Sequence, residues 1–211
     1  MKRKVFGIGV NDADYSVTFN LGNGKRGTCP FYARWTDMLR RCYCPKQLKR
    51  MSAYTPVTVC EEWLTFSNFR QWMIIQNWED LVLDKDFLGD GTIYSPDTCV
   101  FIPEYVNFAI LGIGKYVGVT QHKRSGAYQA SICMFGEHNY IGSFNTEEEA
   151  KKAYALAKIG YLKSVLHRYY PYGDARVVHK LKTVIEEFER TCAKENAVLG
   201  LPKKPKSGGK K

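Results

Sequence analysis

Large apolar residues recur at intervals of three and four in two stretches of the first half of the chain. The first stretch is PFYARWTDMLRRCYC, which contains Phe31, Trp35, Met38, Leu39 and Cys42. The second is FSNFRQWM, which contains Phe66, Phe69, Trp72 and Met73. This spacing predicts two amphipathic helices whose apolar faces form a core. Arg34, Arg40 and Arg41 fall on the opposite face of the first helix, either as a solvated face or as phosphate contacts.

Short β-prone runs alternate with these helices. They lie near residues 57–60, 81–83 and 99–102, and the last two flank the turn residues Gly89, Asp90, Gly91, Ser95 and Pro96. The following EYVNFAI has helical character. The proline-containing CPKQLKRMSAYTP, between the two amphipathic helices, predicts an irregular basic loop.

After LGIGKY the pattern changes to alternation with period two. YVGVTQHK, AYQASICMF and HNYIGSFN predict three strands, joined by turns at Arg124-Ser125-Gly126 and Gly136-Glu137. Thr146 with Glu149 forms a capping box that predicts the start of a helix. The helix carries a small-residue stripe suited to lying on a sheet: Ala150, Ala153, Tyr154, Ala157 and Tyr161. Lys151, Lys152 and Lys158 are expected to point elsewhere.

A last helix is predicted from about residue 175 to 196. Its apolar positions are Val177, Leu181, Val184, Ile185 and Phe188, a face expected to pack against a protein partner. The predicted fold class is α+β. The expected domains are 1–112, 113–170, the helix 171–200 and a disordered basic tail 201–211.

The formal net charge of +10 favours a polyanionic partner, and nucleic acid is the leading candidate. The tail LPKKPKSGGKK carries five of the lysines and is either a solubilising end or a DNA-grasping arm. No stretch of the sequence is long and apolar enough to cross a membrane, and the expected location is intracellular.

The seven cysteines form an odd-numbered set without a C-x-x-C pair, which indicates reduced thiols. A zinc site built from Cys29, Cys42, Cys44 and Cys60 is an alternative. Its C-x-C spacing without a nearby histidine is a poor ligand pattern.

The motifs GV, YQASI, YIGSF and TEEEAKKAY occur in this order between Tyr116 and Lys163. They resemble the DNA-binding domain of the APETALA-type, or ethylene-response-factor, proteins of plants. The resemblance implies a three-stranded sheet that enters the DNA major groove with a helix behind it. The DNA-contacting positions that it implies, with neighbouring basic residues, are Lys115, Thr120, His122, Lys123, Arg124, Ser131, Cys133, His138 and Tyr140. Several of these are arginines or tryptophans in the plant proteins, so the plant base specificity is not implied.

The stretch LDKDFLGDGTIYSPDTCVFIPEYVN resembles phage-encoded nucleases of the HNH, or ββα-metal, family. The resemblance implies a degenerate ββα module with Asp84 and Asn107 as Mg²⁺ ligands. Lys85 stands where the family has its histidine base, and a protonated lysine cannot take a proton from water. Lys85 could instead stabilise phosphate charge, and Asp86 could act as a second ligand or weak base. The catalytic set implied is therefore Asp84, Lys85, Asp86 and Asn107.

Together these patterns predict a protein that binds double-stranded DNA. One interpretation is a Mg²⁺-dependent, homing-type endonuclease, located in the host cytoplasm if it is phage-encoded. The alternative is a non-catalytic regulator or inhibitor of another DNA-acting protein, because a catalytically inactive relic would keep the same residues.

Overall fold

The computed structural model describes residues 4–50, 57–111 and 118–198. The chain forms two compact units, Met1–Asn107 and Phe108–Lys211. Each combines helices with small sheets, which confirms the α+β class. The domain bounds expected from the sequence stay a prediction. The basic tail and Lys115 lie outside the described residues.

Unit 1 begins with a hairpin, and its helices alternate with short strands. Its elements are β1 (Thr18–Gly22), β2 (Lys25–Thr28), α1 (Pro30–Tyr43), α2 (Pro45–Arg50), β3 (Thr58–Val59), α3 (Phe66–Ile74), β4 (Val82–Asp84), β5 (Ile93–Tyr94), β6 (Val100–Ile102) and α4 (Glu104–Ile110), which runs across the unit border. β1 and β2 pair antiparallel, as do β4 and β6, whereas β3 and β5 pair in parallel. A 3₁₀ turn, Glu61–Leu64, precedes α3.

The apolar faces of α1 and α3 form the core of unit 1, as predicted. Trp35 and Leu39 from α1 and Phe69 from α3 are fully buried. The indole nitrogen of Trp35 donates a hydrogen bond of 2.7 Å to the carbonyl of Trp63. This polar group is therefore satisfied inside the core, which removes the cost of burying it.

The loop expected after α1 is partly wrong, because residues 45–50 form the short helix α2. Pro45 stands at its first position, where a proline costs no hydrogen bond because the amide would be unpaired there anyway. The carbonyl of Cys44 accepts the amides of Gln47 and Leu48 at 2.9 and 3.0 Å. Residues 51–56 of the predicted loop lie outside the described part.

Unit 2 contains the predicted three-stranded sheet. Its strands are β7 (Val119–Gln121), β8 (Tyr128–Met134) and β9 (Glu137–Phe144), antiparallel in the order β7-β8-β9. The β8–β9 turn is centred on Phe135 and Gly136, with φ values of 51° and 89°, one residue earlier than predicted. Positive φ at both central residues is the geometry that matches the twist of a two-residue hairpin.

Two long helices complete unit 2: α5 (Glu147–Tyr169) and α6 (Ala175–Val198). The capping box of Thr146 and Glu149 is confirmed. Ala150 and Tyr154 of α5 and Ala130 and Ile132 of β8 are all buried, so the helix packs on one face of the sheet.

Two expectations about the helices are wrong. Lys158 does not point away from the core: it is buried, and its ammonium donates to the carbonyl of Leu111 at 3.2 Å. The apolar face of α6 is not available to a protein partner, because Leu181 and Ile185 are buried where α6 packs on α5. A salt bridge of 2.6 Å between Lys163 and Glu189 also joins the two helices.

None of the seven cysteines, all of which lie among the described residues, forms a disulfide bond, in agreement with the sequence interpretation. Across residues 4–50, 57–111 and 118–198, no helix is long and apolar enough to cross a membrane.

Candidate nucleic-acid interface

The face of the sheet opposite α5 carries small polar side chains. Ala130 and Ile132 point toward α5 and are buried, so the residues between them on β8 point the other way. Cross-strand partners share a face, and two such pairs here are Ser131 with Tyr140 and Cys133 with His138. Five of the positions predicted from the plant resemblance therefore lie on one face: Thr120, Ser131, Cys133, His138 and Tyr140.

Two further residues belong to this face and were missed by the sequence reasoning. Gln129 pairs with Thr120 on one side and with Ser143 on the other, which gives a row of three polar residues across the sheet. For Gln129 the signal was available in the period-two alternation of β8. For Ser143 it required the strand register, which the sequence pattern does not fix.

A β-bulge in β9 keeps the polar face continuous. Ala130 pairs with Gly142 whereas the next residue, Ser131, pairs with Tyr140, so Ile141 is the extra residue. Without it, the alternation of β9 would send either Tyr140 or Ser143 toward α5. With it, both remain on the polar face, and 62% of Tyr140 is exposed.

The β7–β8 turn presents the basic residues Lys123 and Arg124, both exposed. His122 supports this turn from within. Its Nδ1 lies 3.0 Å from the hydroxyl of Ser125, its amide donates to Ala127 at 2.8 Å, and its carbonyl accepts from Gly126 at 2.9 Å. His122 was predicted as a DNA contact, but the structure places its Nδ1 in the turn.

The β8–β9 turn is anchored to α5. The hydroxyl of Tyr161 accepts the amide of Phe135 at 3.2 Å, and the two rings meet edge to face with centroids 5.1 Å apart. The guanidinium of Arg168 lies 5.3 Å from the centroid of the Phe135 ring. The turn that leads into His138 and Tyr140 is therefore attached to α5 by several contacts.

The nuclease-like stretch of unit 1 forms a tight turn after β4. Asp84 is buried, and its Oδ1 accepts the amides of Asp86 and Phe87 at 3.0 and 2.7 Å. Burial raises the pKa of Asp84, although these two hydrogen bonds oppose the shift. Lys85 is also buried and donates to Asp86 at 2.5 Å, with its ammonium 5.5 Å from the centroid of the Tyr94 ring.

These contacts fit Mg²⁺ poorly. Asp84 uses Oδ1 to hold two main-chain amides, and the positive charge of Lys85 beside this carboxylate would repel a second cation. Asn107 lies one turn inside α4, where its main-chain N–H donates to the carbonyl of Pro103 at 3.2 Å. Among the described residues, no three His, Cys, Asp or Glu side chains cluster in a way that could hold a metal ion. Magnesium binding and the catalytic set of Asp84, Lys85, Asp86 and Asn107 stay predictions.

The arginines of α1 are engaged within unit 1. Arg34 donates to the carbonyl of Leu81 at 2.8 Å, and Asp37 pairs with both Arg40 and Arg41. This arrangement favours the structural interpretation of their face over phosphate contact.

Comparison with known proteins finds similarity over part of the chain. The chain is 44% identical to the ethylene-responsive transcription factor WRI1 of Arabidopsis thaliana over 52 residues. These residues make up 24% of this chain and 12% of that protein. The chain is 31% identical over 103 residues to the AP2-like ethylene-responsive transcription factor AIL7 of the same plant, covering 40% of this chain and 21% of that protein. The chain thus spans less than a quarter of either relative.

No protein-family model matches the chain, and no solved structure matches it. The resemblance to the plant family is therefore confirmed over part of the sequence. The resemblance to HNH nucleases stays a prediction.

Proposed function

We propose that the protein binds double-stranded DNA through the polar face of the β7-β8-β9 sheet and acts as a non-catalytic regulator of DNA transactions. The observation that carries the proposal is the continuous row of hydrogen-bonding side chains on one face of the sheet, on the side away from α5. A small sheet of this kind enters a major groove about 12 Å wide, where alternate side chains reach base edges.

The uncharged and the basic residues of this surface would contact different parts of the DNA. Tyr140, Ser131 and Gln129 carry no charge and can exchange hydrogen bonds with base edges. Lys123 and Arg124 sit in the exposed turn at one edge, where they can reach phosphates. Both relatives named above are transcription factors, which supports a regulatory role.

The regulator is favoured over the endonuclease by the turn at Asp84. A carboxylate that holds two amides of its own turn already has a structural role, which accounts for Asp84 without any catalytic function. The residues of the sheet's polar face have no comparable structural task, since they lie on the side away from α5.

The direct test measures the affinity of the full chain for a labelled duplex as a function of salt. Replacing both Lys123 and Arg124 by alanine should weaken binding to every sequence and make the slope of log affinity against log salt shallower by about 1.8, which is about 0.9 for each lost phosphate contact. The matched control is Lys180→Ala with Arg190→Ala, which removes the same charge from positions on α6, outside the sheet.

Sequence preference is tested by selection from a random duplex pool. Tyr140→Ala should change the selected sequence, whereas Tyr172→Ala, an exposed tyrosine outside the sheet, should not. Absence of duplex binding at low salt would refute the proposal, and so would equal effects of the two tyrosine variants.

A further inference from the structure

The N-terminal hairpin β1–β2 projects from unit 1 with almost nothing covering it. Every residue of β1 is exposed, and in β2 only Gly27 is partly covered. Phe19 and Leu21 are 49% and 63% exposed. A two-stranded hairpin of this kind gains little stability in water by itself, and its two apolar side chains are accessible to a binding partner.

The hairpin supports its own shape. Its turn has positive φ at Asn23 and Gly24, 50° and 73°, and the side chain of Asn20 accepts the amide of Gly22 at 2.9 Å. Phe19 lies over its cross-strand partner Gly27, where a β-carbon would come 2.3 Å from the ring. The ribbon is therefore preformed, which lowers the entropy lost when it binds.

The charge of the hairpin selects the class of partner. Lys25 and Arg26 follow the turn directly, and no acidic residue occurs in the sequence between Asp14 and Asp37. In the described part of the chain, neither Lys25 nor Arg26 takes part in a salt bridge. A positive, self-supporting ribbon with an apolar flank matches a phosphate-lined groove.

We infer that the β1–β2 hairpin is a second contact with duplex DNA, separate from the sheet of unit 2. The inference rests on the proposed function, since it extends the same DNA-binding activity to unit 1. A two-stranded β-ribbon has the cross-section that the major groove admits. Lys25 and Arg26 contact phosphates, and Leu21, at the bulge of β1, contacts the apolar groove surface.

The test uses the full chain and a random-sequence duplex. Lys25→Ala with Arg26→Ala should lower affinity and make the salt slope shallower by about 1.8, because two phosphate contacts are lost. Leu21→Ser should lower affinity with the slope unchanged, since no ion is released at an apolar contact. All three positions are exposed, so the fold should survive, and a circular dichroism melt of each variant checks this.

The outcomes separate the two proposals. If the wild type binds the duplex and the Lys123 and Arg124 double variant is impaired, but the hairpin variants equal the Lys180 and Arg190 control, only the hairpin inference is wrong. If the wild type fails to bind the duplex at low salt, both are wrong. The hairpin assignment would also be overturned if the hairpin variants lost affinity for a single-stranded probe but kept the affinity of the wild type for the duplex.

Discussion

Gly118 lies against the ring of Tyr154, so closely that a β-carbon on the glycine would come 2.4 Å from a ring carbon. The same β-carbon would be 1.9 Å from the carbonyl oxygen of Ser131. The carbonyl of Gly118 accepts the amide of Ser131 at 2.9 Å, so this residue joins the start of β7 to β8. The sheet can therefore approach α5 here only because the residue has no side chain.

Gly118→Ala should destabilise unit 2. The backbone must move, because the shortest contact is with the main-chain oxygen of Ser131, and the Tyr154 ring must move with it; overpacking of this kind costs about 1–3 kcal/mol. Amide hydrogen exchange of β8 and α5 measures the loss locally, which matters because the chain has two units and global unfolding need not be two-state.

The control for this variant is Gly160→Ala. Gly160 lies inside α5, and a β-carbon added there would have nothing within 4 Å, so alanine meets no obstacle. Alanine should stabilise the helix by about 0.5–1 kcal/mol through its higher propensity. Equal protection losses in the two variants would contradict the close approach at Gly118.

Lys158→Met should stabilise the protein at neutral pH. The buried ammonium loses hydration, which lowers the pKa of Lys158. The carbonyl of Leu111 accepts its hydrogen bond, and because Leu111 is exposed, water can take the place of the ammonium at this carbonyl in the variant. Methionine keeps the length and apolar stem of the side chain. Lys152→Met, on the exposed side of the same helix, is the matched control and should leave stability nearly unchanged.

The pH dependence of this effect has a definite sign. Above the lowered folded pKa the unfolded chain, whose lysine titrates near 10.5, binds more protons than the folded chain. The unfolding free energy of the wild type therefore rises with pH in this window, and the advantage of Lys158→Met should shrink. Urea titrations at several values between about pH 7 and about pH 10 measure the difference. A constant difference would contradict a buried, charged Lys158.

The burial of Lys158 could not be predicted from the sequence. Helical spacing correctly placed Ala150 and Tyr154 on the sheet-facing side, because that face depends only on local periodicity. Lys158 also falls near that face, but its charge suggested solvent. Its carbonyl partner, Leu111, is 47 residues away, and no local pattern reveals a contact at that separation.

The polar face of the sheet was also predicted only in part. Tyr140 and His138 came from the family resemblance and lie on the exposed face as expected, although their contact with DNA stays a prediction. Ser143 was missed because the bulge at Ile141 changes the alternation of β9, and bulges leave no reliable trace in a single sequence, whereas Gln129 follows the regular alternation of β8 and was predictable from it. His122 matched the family position, yet its hydrogen bond to Ser125 becomes visible only in the folded turn.

His122→Ala and Ser125→Ala should weaken DNA binding by similar factors. Each removes one side of the 3.0 Å contact that orders the β7–β8 turn, so Lys123 and Arg124 lose their fixed positions. Fluorescence anisotropy with a labelled duplex measures the affinity, and the double variant should be little worse than either single variant. An additive double variant, or a large effect of His122→Ala alone, would indicate direct contact of the imidazole with DNA.

Two substitutions of Asp84 separate a structural carboxylate from a metal ligand. Asp84→Ala leaves the amides of Asp86 and Phe87 without their acceptor in a buried turn, which should cost about 1–3 kcal/mol of unfolding free energy. Asp84→Asn keeps the accepting oxygen and removes the charge. Because the folded pKa of Asp84 is raised, the stability linked to its proton is lost as the pH rises through that value. Asp84→Asn should therefore be at least as stable as the wild type at neutral pH, and the difference should vanish in acid.

The same pair of variants decides whether unit 1 cuts DNA. Incubation of supercoiled plasmid with the wild type, with and without Mg²⁺, is expected to leave the plasmid intact, because Asp84 holds the amides of its own turn and Lys85 is paired with Asp86. Metal-dependent nicking that Asp84→Asn abolishes without loss of stability would assign Asp84 to catalysis and overturn the regulator proposal. Nicking that persists in Asp84→Asn would come from residues other than Asp84. With no nicking and a destabilised Asp84→Ala, the turn is a structural element of a DNA-binding protein.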